Sequence, residues 1–155
     1  MGYYVNIDEA HLVLPMSNAA LACKRLCDLN DRNDLKNGGK WPRDENIVGP
    51  HEDIWFSWMP WNYPDIYSDA KQILEAVGFD TWLVGDDLHI CGYDNKSGCQ
   101  EEFLAAIGDL LKPHAYVVWR GECGETWRFD FEEAGIVKSI GVLSFEHQAT
   151  VDYYR

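Results

Sequence analysis

Two adjacent stretches, SGCQEEFLAAIGDLLKP (residues 97–113) and AYVVWR (residues 115–120), decide the fold. In the first stretch, apolar residues recur at the three- and four-residue spacing of one helix face. Ser97 and Gln100 match a capping box at its start, and Pro113 ends it. The second stretch has the β-branched and aromatic composition of a strand. Together they predict a helix that leads directly into a strand.

Hairpins are predicted on both sides of this unit. Their strands cover residues 81–84, 88–92, 126–131 and 136–145. The turn at residues 85–87, Gly-Asp-Asp, tolerates the positive φ of a tight hairpin. In the strand predicted over residues 126–131, apolar and polar residues alternate strictly. This alternation places Trp127, Phe129 and Phe131 on the core side and polar residues on the other side.

The remaining elements lie upstream. Residues 3–14 predict a strand or a bent strand pair, and a first helix is predicted from Ala19 to about Asn30. A second helix runs from about residue 64 or 68 to Val77, where Gly78 closes it. The order of elements matches βαββαβ, which predicts a ferredoxin-like α+β antiparallel sheet with helices on one face and an extra C-terminal β-hairpin. An α+β sheet with another strand order is the alternative.

A single domain is expected for residues 1–155, because the chain is too short for two separate cores. Its irregular part is a long insertion at about residues 31–63, which has no helix or strand period and holds four of the seven tryptophans. Loops of this length are usually functional or disordered. The aromatic content of this loop predicts that it is ordered.

The aromatic side chains of the loop are predicted to divide into two sets. Trp41, Trp55 and Phe56 anchor the loop on the core. The residues that remain for recognition of a partner are Trp58, Trp61 and Tyr63. The alternative is that all these rings form a small core beneath the loop.

Charge limits the class of partner. The chain carries 13 basic and 26 acidic side chains, a net charge of −13, and residues 51–155 hold seven of the basic and nineteen of the acidic ones. The electrostatic field of this net charge repels nucleic acid and anionic membranes and attracts a basic protein surface. Carboxylates concentrate on the polar side and turns of the last three strands. This pattern predicts an acidic docking face made of Glu122, Glu125, Asp130, Glu132 and Glu133.

No catalytic, cofactor or metal motif stands out. The five cysteines are odd in number and scattered, which is typical of free thiols in a reducing compartment. The histidines lie far apart, and no serine lies in a nucleophile elbow. No window approaches the length of an apolar membrane span, and the first residues lack the pattern of a secretory signal. We therefore expect a cytoplasmic, non-catalytic protein without cofactor, metal or membrane contact.

A small-ligand or nucleotide-binding protein is the alternative. Residues 24–43 carry six basic and three acidic side chains, a local charge of +3. Lys36, Lys40 and Arg43 would hold an anion beside the three aromatic residues assigned to recognition.

Two short stretches carry a resemblance. WFSWM (55–59) with YP (63–64), and WRGE (119–122) with GETWR (124–128), resemble small uncharacterised proteins of actinobacteria and bacteriophages. The resemblance implies a phage accessory factor, and phage factors that block host nucleases or CRISPR effectors are often small, acidic and non-catalytic. The expected function is thus an acidic protein-binding factor, of the anti-CRISPR or nuclease-inhibitor type. It would dock on the basic surface of a nucleic-acid-binding effector.

Overall fold

The computed structural model describes residues 2–41 and 52–145. Within these residues the protein is mixed α+β, with four helices and an open antiparallel sheet of seven strands. The strands are β1 (Tyr4–His11), β2 (Val13–Pro15), β3 (Lys40–Trp41), β4 (Glu52–Asp53), β5 (Phe79–Val84), β6 (Asp87–Lys96), β7 (Tyr116–Gly121), β8 (Thr126–Glu132) and β9 (Gly135–Ile140). The helices are α1 (Ala19–Asp28), α2 (Tyr63–Ile66), α3 (Ala70–Val77) and α4 (Gln100–Ile107).

The main sheet runs in the order β5-β6-β1-β7-β8-β9, with β2 continuing beside β6. Every neighbouring pair is antiparallel. The strands β3 and β4 form a separate two-stranded ladder in the long loop. The predicted α+β class is therefore confirmed.

One face of the sheet is covered by the helices. Val5, Ile90, Val117 and Trp119 alternate with polar or exposed neighbours and are buried. They join a single core with the apolar residues of α1, α3 and α4. The predicted inward side of β8 also packs against this core, where its three aromatic residues lie half-buried.

The helix ends follow local chemistry. Asp69 caps α3 by accepting a hydrogen bond from the Gln72 amide at 2.8 Å, and Gly78 closes the helix with φ of 125°, as predicted. The capping box predicted at Ser97 is wrong. The Ser97 amide donates to Tyr3, so this residue continues the strand pairing, and α4 begins only at Gln100.

The last strand is shorter than predicted and ends at Ile140 rather than Phe145. The Gly141 amide still donates to the Thr126 carbonyl at 2.9 Å. Since Thr126 is the first residue of β8, this neighbour offers no partner for the residues that follow.

The predicted irregular insertion at 31–63 is partly regular. Besides β3 and β4, its described residues contain a 3-10 turn at Asn33–Leu35, and it begins within another at Leu29–Asp31. Residues 42–51 and the side chain of Trp41 lie outside the described part of the structure, so the predictions for Arg43 and for the Trp41 anchor are not tested.

Candidate functional site

A groove of about 780 Å³ lies between the segment that follows α4 and the strand β8. Its lining includes three apolar residues, Leu111, Pro113 and Phe131, together with charged residues. Three of the five acidic residues predicted to form a docking face line this groove, namely Asp130, Glu132 and Glu133.

The chain after α4 is shaped to form one wall. A 3-10 turn over Gly108–Leu110 ends the helix, and His114 takes a positive φ of 67° after Pro113. The amide of Phe131 then donates to the Ala115 carbonyl at 3.0 Å, which joins this wall to β8. A Cβ at Gly108 would lie 2.5 Å from the Phe131 ring, so a side chain at that position is excluded by close packing.

The cations of the groove are engaged within the protein. Arg128 Nη2 donates to Asp130 at 2.8 Å, and its guanidinium lies 4.1 Å from the centre of the Tyr116 ring. The Tyr116 hydroxyl in turn donates to Glu9 at 2.7 Å, a contact that raises the pKa of Tyr116. Lys112 pairs with Asp87 at 2.6 Å. The groove therefore holds fixed cations whose charge is already balanced.

Unlike these paired cations, the carboxylates at the β8–β9 end of the groove have no ionic partner among the described residues. Glu132 and Glu133 are exposed and make no ion pair with any residue of the described ranges 2–41 and 52–145. Asp109, on the opposite wall, is paired with Arg25, and this contact lowers the pKa of Asp109. The rim of the groove at this end thus carries negative charge that no described residue pairs.

The other two predicted acidic residues lie elsewhere. Glu122 and Glu125 are exposed in the turn between β7 and β8, at the opposite end of β8 from Glu132. Glu132 lies seven residue steps beyond Glu125 along extended chain, a distance of about 23 Å. The structure therefore divides the predicted acidic face into two separate clusters.

The aromatic loop is anchored as predicted at Trp55 and Phe56, which are both buried. Trp55 Nε1 donates to Asn30 Oδ1 at 3.2 Å, and the Asn30 amide donates to the carbonyl of Trp61 at 2.7 Å. Asn30 therefore holds the loop at two points. Sequence reasoning did not single out this asparagine.

Of the three aromatic residues assigned to recognition, two are partly accessible and one is not. Trp58 and Trp61 are 37% and 38% exposed, although Trp58 stacks on Phe56 and donates to the Val77 carbonyl at 3.1 Å. Tyr63 is fully buried, and its hydroxyl donates to the Leu26 carbonyl. The assignment of Tyr63 to recognition is therefore wrong, because its ring and hydroxyl are both used in the core.

Most of the basic side chains in the described part of residues 24–43 are paired with acidic side chains. Lys24 pairs with Asp28, Arg32 with Asp34, and Lys40 with Asp53. Lys36 donates to Asn33 at 2.7 Å and lies 5.8 Å from the centre of the Trp55 ring, and burial lowers its pKa.

Lys36 and Lys40 are thus each engaged by other residues of the protein, and the charge of Asp53 acts on both. A cavity of about 330 Å³ near this loop is lined by Trp58 and Lys96 among others, a pairing that the sequence did not predict.

Sequence reasoning also missed the partners that build the groove. The sequence did not predict that Tyr116 and Arg128 lie together or that the segment 108–115 faces β8. The strand register sets Val118 opposite Arg128 and Tyr116 opposite Asp130. The alternation of β8 placed Arg128 and Asp130 on one face correctly. It carried no signal for the helix-end segment that forms the other wall.

Comparison of the chain with protein-family models, with curated proteins and with solved structures gives no match. Among residues 2–41 and 52–145, no helix is both long and apolar enough to span a membrane.

Proposed function

We propose that this protein is a non-catalytic, cytoplasmic binding factor that docks its acidic groove on a basic segment of a partner protein. The observation that carries the proposal is the state of the groove's charges. Lys112 and Arg128 are paired internally, whereas Glu132 and Glu133 on the rim are exposed and unpaired among the described residues. A lysine or arginine of a partner would find ionic contacts at Glu132 and Glu133, and the apolar lining residues of the groove could pack against its methylene chain.

The resemblance to small phage proteins directs the choice of partner. Nucleases and CRISPR effectors present basic surfaces that evolved to bind nucleic acid, and a molecule of net charge −13 is attracted to such surfaces over long range. An anti-defence inhibitor that occupies such a surface is the most specific form of the proposal.

We also propose that the scaffold is ferredoxin-like with an added C-terminal hairpin. The strand order β5-β6-β1-β7, with a helix in each of the connections β1 to β5 and β6 to β7, supports this assignment. The strands β8 and β9 extend the sheet beyond β7, and β8 provides one wall of the groove.

A charge-reversal experiment tests the docking groove. The double variant Glu132→Lys/Glu133→Lys should weaken binding of a labelled arginine-rich peptide by about tenfold, because two exposed attractive contacts become repulsive. Fluorescence anisotropy measures the affinity, and higher salt should reduce the difference.

The matched control is Glu122→Lys/Glu125→Lys, which makes the same change in net charge at the other end of β8. This variant should retain most of the affinity for the peptide. Equal weakening by both double variants would show that the peptide responds to net charge alone, and would contradict a docking site at the groove.

The nucleotide alternative has a direct test of its own. Because the cations of residues 24–40 are paired or partly buried, we expect millimolar nucleotides to leave the tryptophan fluorescence unchanged. The folded state is checked by circular dichroism in the same samples. Saturable quenching that is lost in a Lys96→Ala variant, which keeps every tryptophan, would instead place a ligand in the cavity beside Trp58 and would favour the alternative.

A further inference from the structure

The strand β9 and the residues that follow it expose a long apolar strip. The members of this strip, which we call the β9 strip, are Ile136, Val137, Ile140, Val142, Leu143 and Phe145, with 42–87% of each side chain exposed. Lys138 is its only charged residue, and no carboxylate occurs from Ala134 to Phe145. Edges of native sheets are normally protected by charges, prolines or bulges, so this composition calls for a partner.

The backbone of β9 has free hydrogen-bonding groups on one side. The Gly141 amide donates to Thr126 of β8, and the register sets Ile140 opposite Trp127. Because amides alternate along a strand, those of Ile136, Lys138 and Ile140 point away from β8. Among residues 2–41 and 52–145, no strand pairs with β9 on that side.

The charge of the β9 strip favours one occupant. A basic partner of the kind proposed for the groove would find no carboxylate on this strip. A second copy of the chain carries a net charge of −13, and the carboxylates nearest the strip in the sequence, Glu132, Glu133 and Glu146, lie beyond its two ends, so two copies that pair along it bring no carboxylates together between Ala134 and Phe145.

The other edge of the sheet lacks this property. The strand β5 also exposes apolar side chains, those of Trp82, Leu83 and Val84. However, Asp80 lies within β5 itself, whereas no carboxylate lies within β9, so two copies that met at β5 would bring like charges into the pairing.

Pairing of two β9 edges buries the outward backbone groups of the strip and the flanks of its six apolar side chains, which point alternately to the two faces of the sheet. Given their exposed fractions, complete coverage of these side chains in two copies would bury at most about 1,000 Å², which is the lower limit for a specific interface. Antiparallel pairing about an axis at Ser139 sets Lys138 opposite Ile140 of the partner subunit, so the two lysines do not face each other.

From these features we infer that the protein forms a two-fold dimer in which the β9 strands of two copies pair and join their sheets. Sedimentation of the full chain over a range of micromolar concentrations tests this. The chain should sediment at twice its monomer mass at the upper end, and hydrogen exchange should be slowest there for the outward amides of Ile136, Lys138 and Ile140.

The variant Ile140→Glu/Val142→Glu places carboxylates on the strip and should weaken dimerisation at least tenfold. Its matched control is Trp82→Glu/Val84→Glu, which adds the same charge at equally exposed positions on β5 and should leave the dimer intact. A wild-type chain that stays monomeric, protection of the β9 amides in the monomer, or a dimer that survives the β9 variant but not the β5 variant would each overturn the inference.

Discussion

The variant Trp55→Ala is expected to lose about 3–5 kcal/mol of its free energy of unfolding, as large-to-small changes of core aromatic residues do. Trp55 is 2% exposed, packs its ring edge-on against Phe103 at 5.2 Å, and donates its indole N–H to Asn30. The substitution removes the ring contacts and leaves the Asn30 oxygen without this donor. Urea denaturation at neutral pH measures the loss, which is a large fraction of the stability of a typical domain.

The matched control for Trp55→Ala is Trp61→Ala in the same loop. Trp61 is accessible, and the contact it makes with Asn30 uses its backbone carbonyl, which the substitution retains. We expect a loss of no more than about 1 kcal/mol. If the two variants unfold at the same urea concentration, the Trp61 side chain belongs to the core like that of Trp55. It is then not available to bind a partner.

The fold could be anticipated wherever the local pattern and the tertiary packing agree. A helix was predicted between Ser97 and Pro113, and the structure forms α4 over Gln100–Ile107 followed by a 3-10 turn. This helix and the alternation of β8 could be predicted because a repeating apolar spacing leaves one face to bury. The prediction of Ser97 as the capping residue was wrong because the Ser97 amide donates to the Tyr3 carbonyl, a contact between residues far apart in the sequence. Local propensity carries no information about such a contact.

The residues of the site were harder to predict from the sequence, because their arrangement also depends on contacts between distant parts of the chain. Exposed glutamates are visible in a sequence, but whether they form one cluster depends on which end of a strand each occupies. Glu125 and Glu132 belong to one short stretch of sequence and still lie at opposite ends of β8. The buried state of Tyr63 likewise depends on α1, whose Leu26 carbonyl accepts its hydroxyl.

Alkaline pH should destabilise the protein steeply, through two buried tyrosines. Tyr63 and Tyr93 are almost fully buried, their hydroxyls donate to the carbonyls of Leu26 and Lys96, and burial raises the pKa of each side chain above its ordinary value near 10. The folded chain therefore holds more protons than the unfolded chain once the pH exceeds about 10, so the free energy of unfolding falls as pH rises. Each tyrosine contributes a slope of up to about 1.4 kcal/mol per pH unit.

The tyrosine contribution is isolated by substitution, because buried thiols such as Cys99, whose pKa is also raised by burial, act in the same direction. Tyr63→Phe should cost about 1 kcal/mol at neutral pH, since it removes one buried hydrogen bond, and should flatten the decline above about pH 10. Tyr4→Phe, at an exposed tyrosine, should leave the profile of urea midpoints against pH unchanged. A Tyr63→Phe profile that runs parallel to that of the wild type up to about pH 11 would mean that the Tyr63 hydroxyl ionises freely in the folded chain. The ring would then have to reach solvent, which would restore Tyr63 as a candidate for recognition.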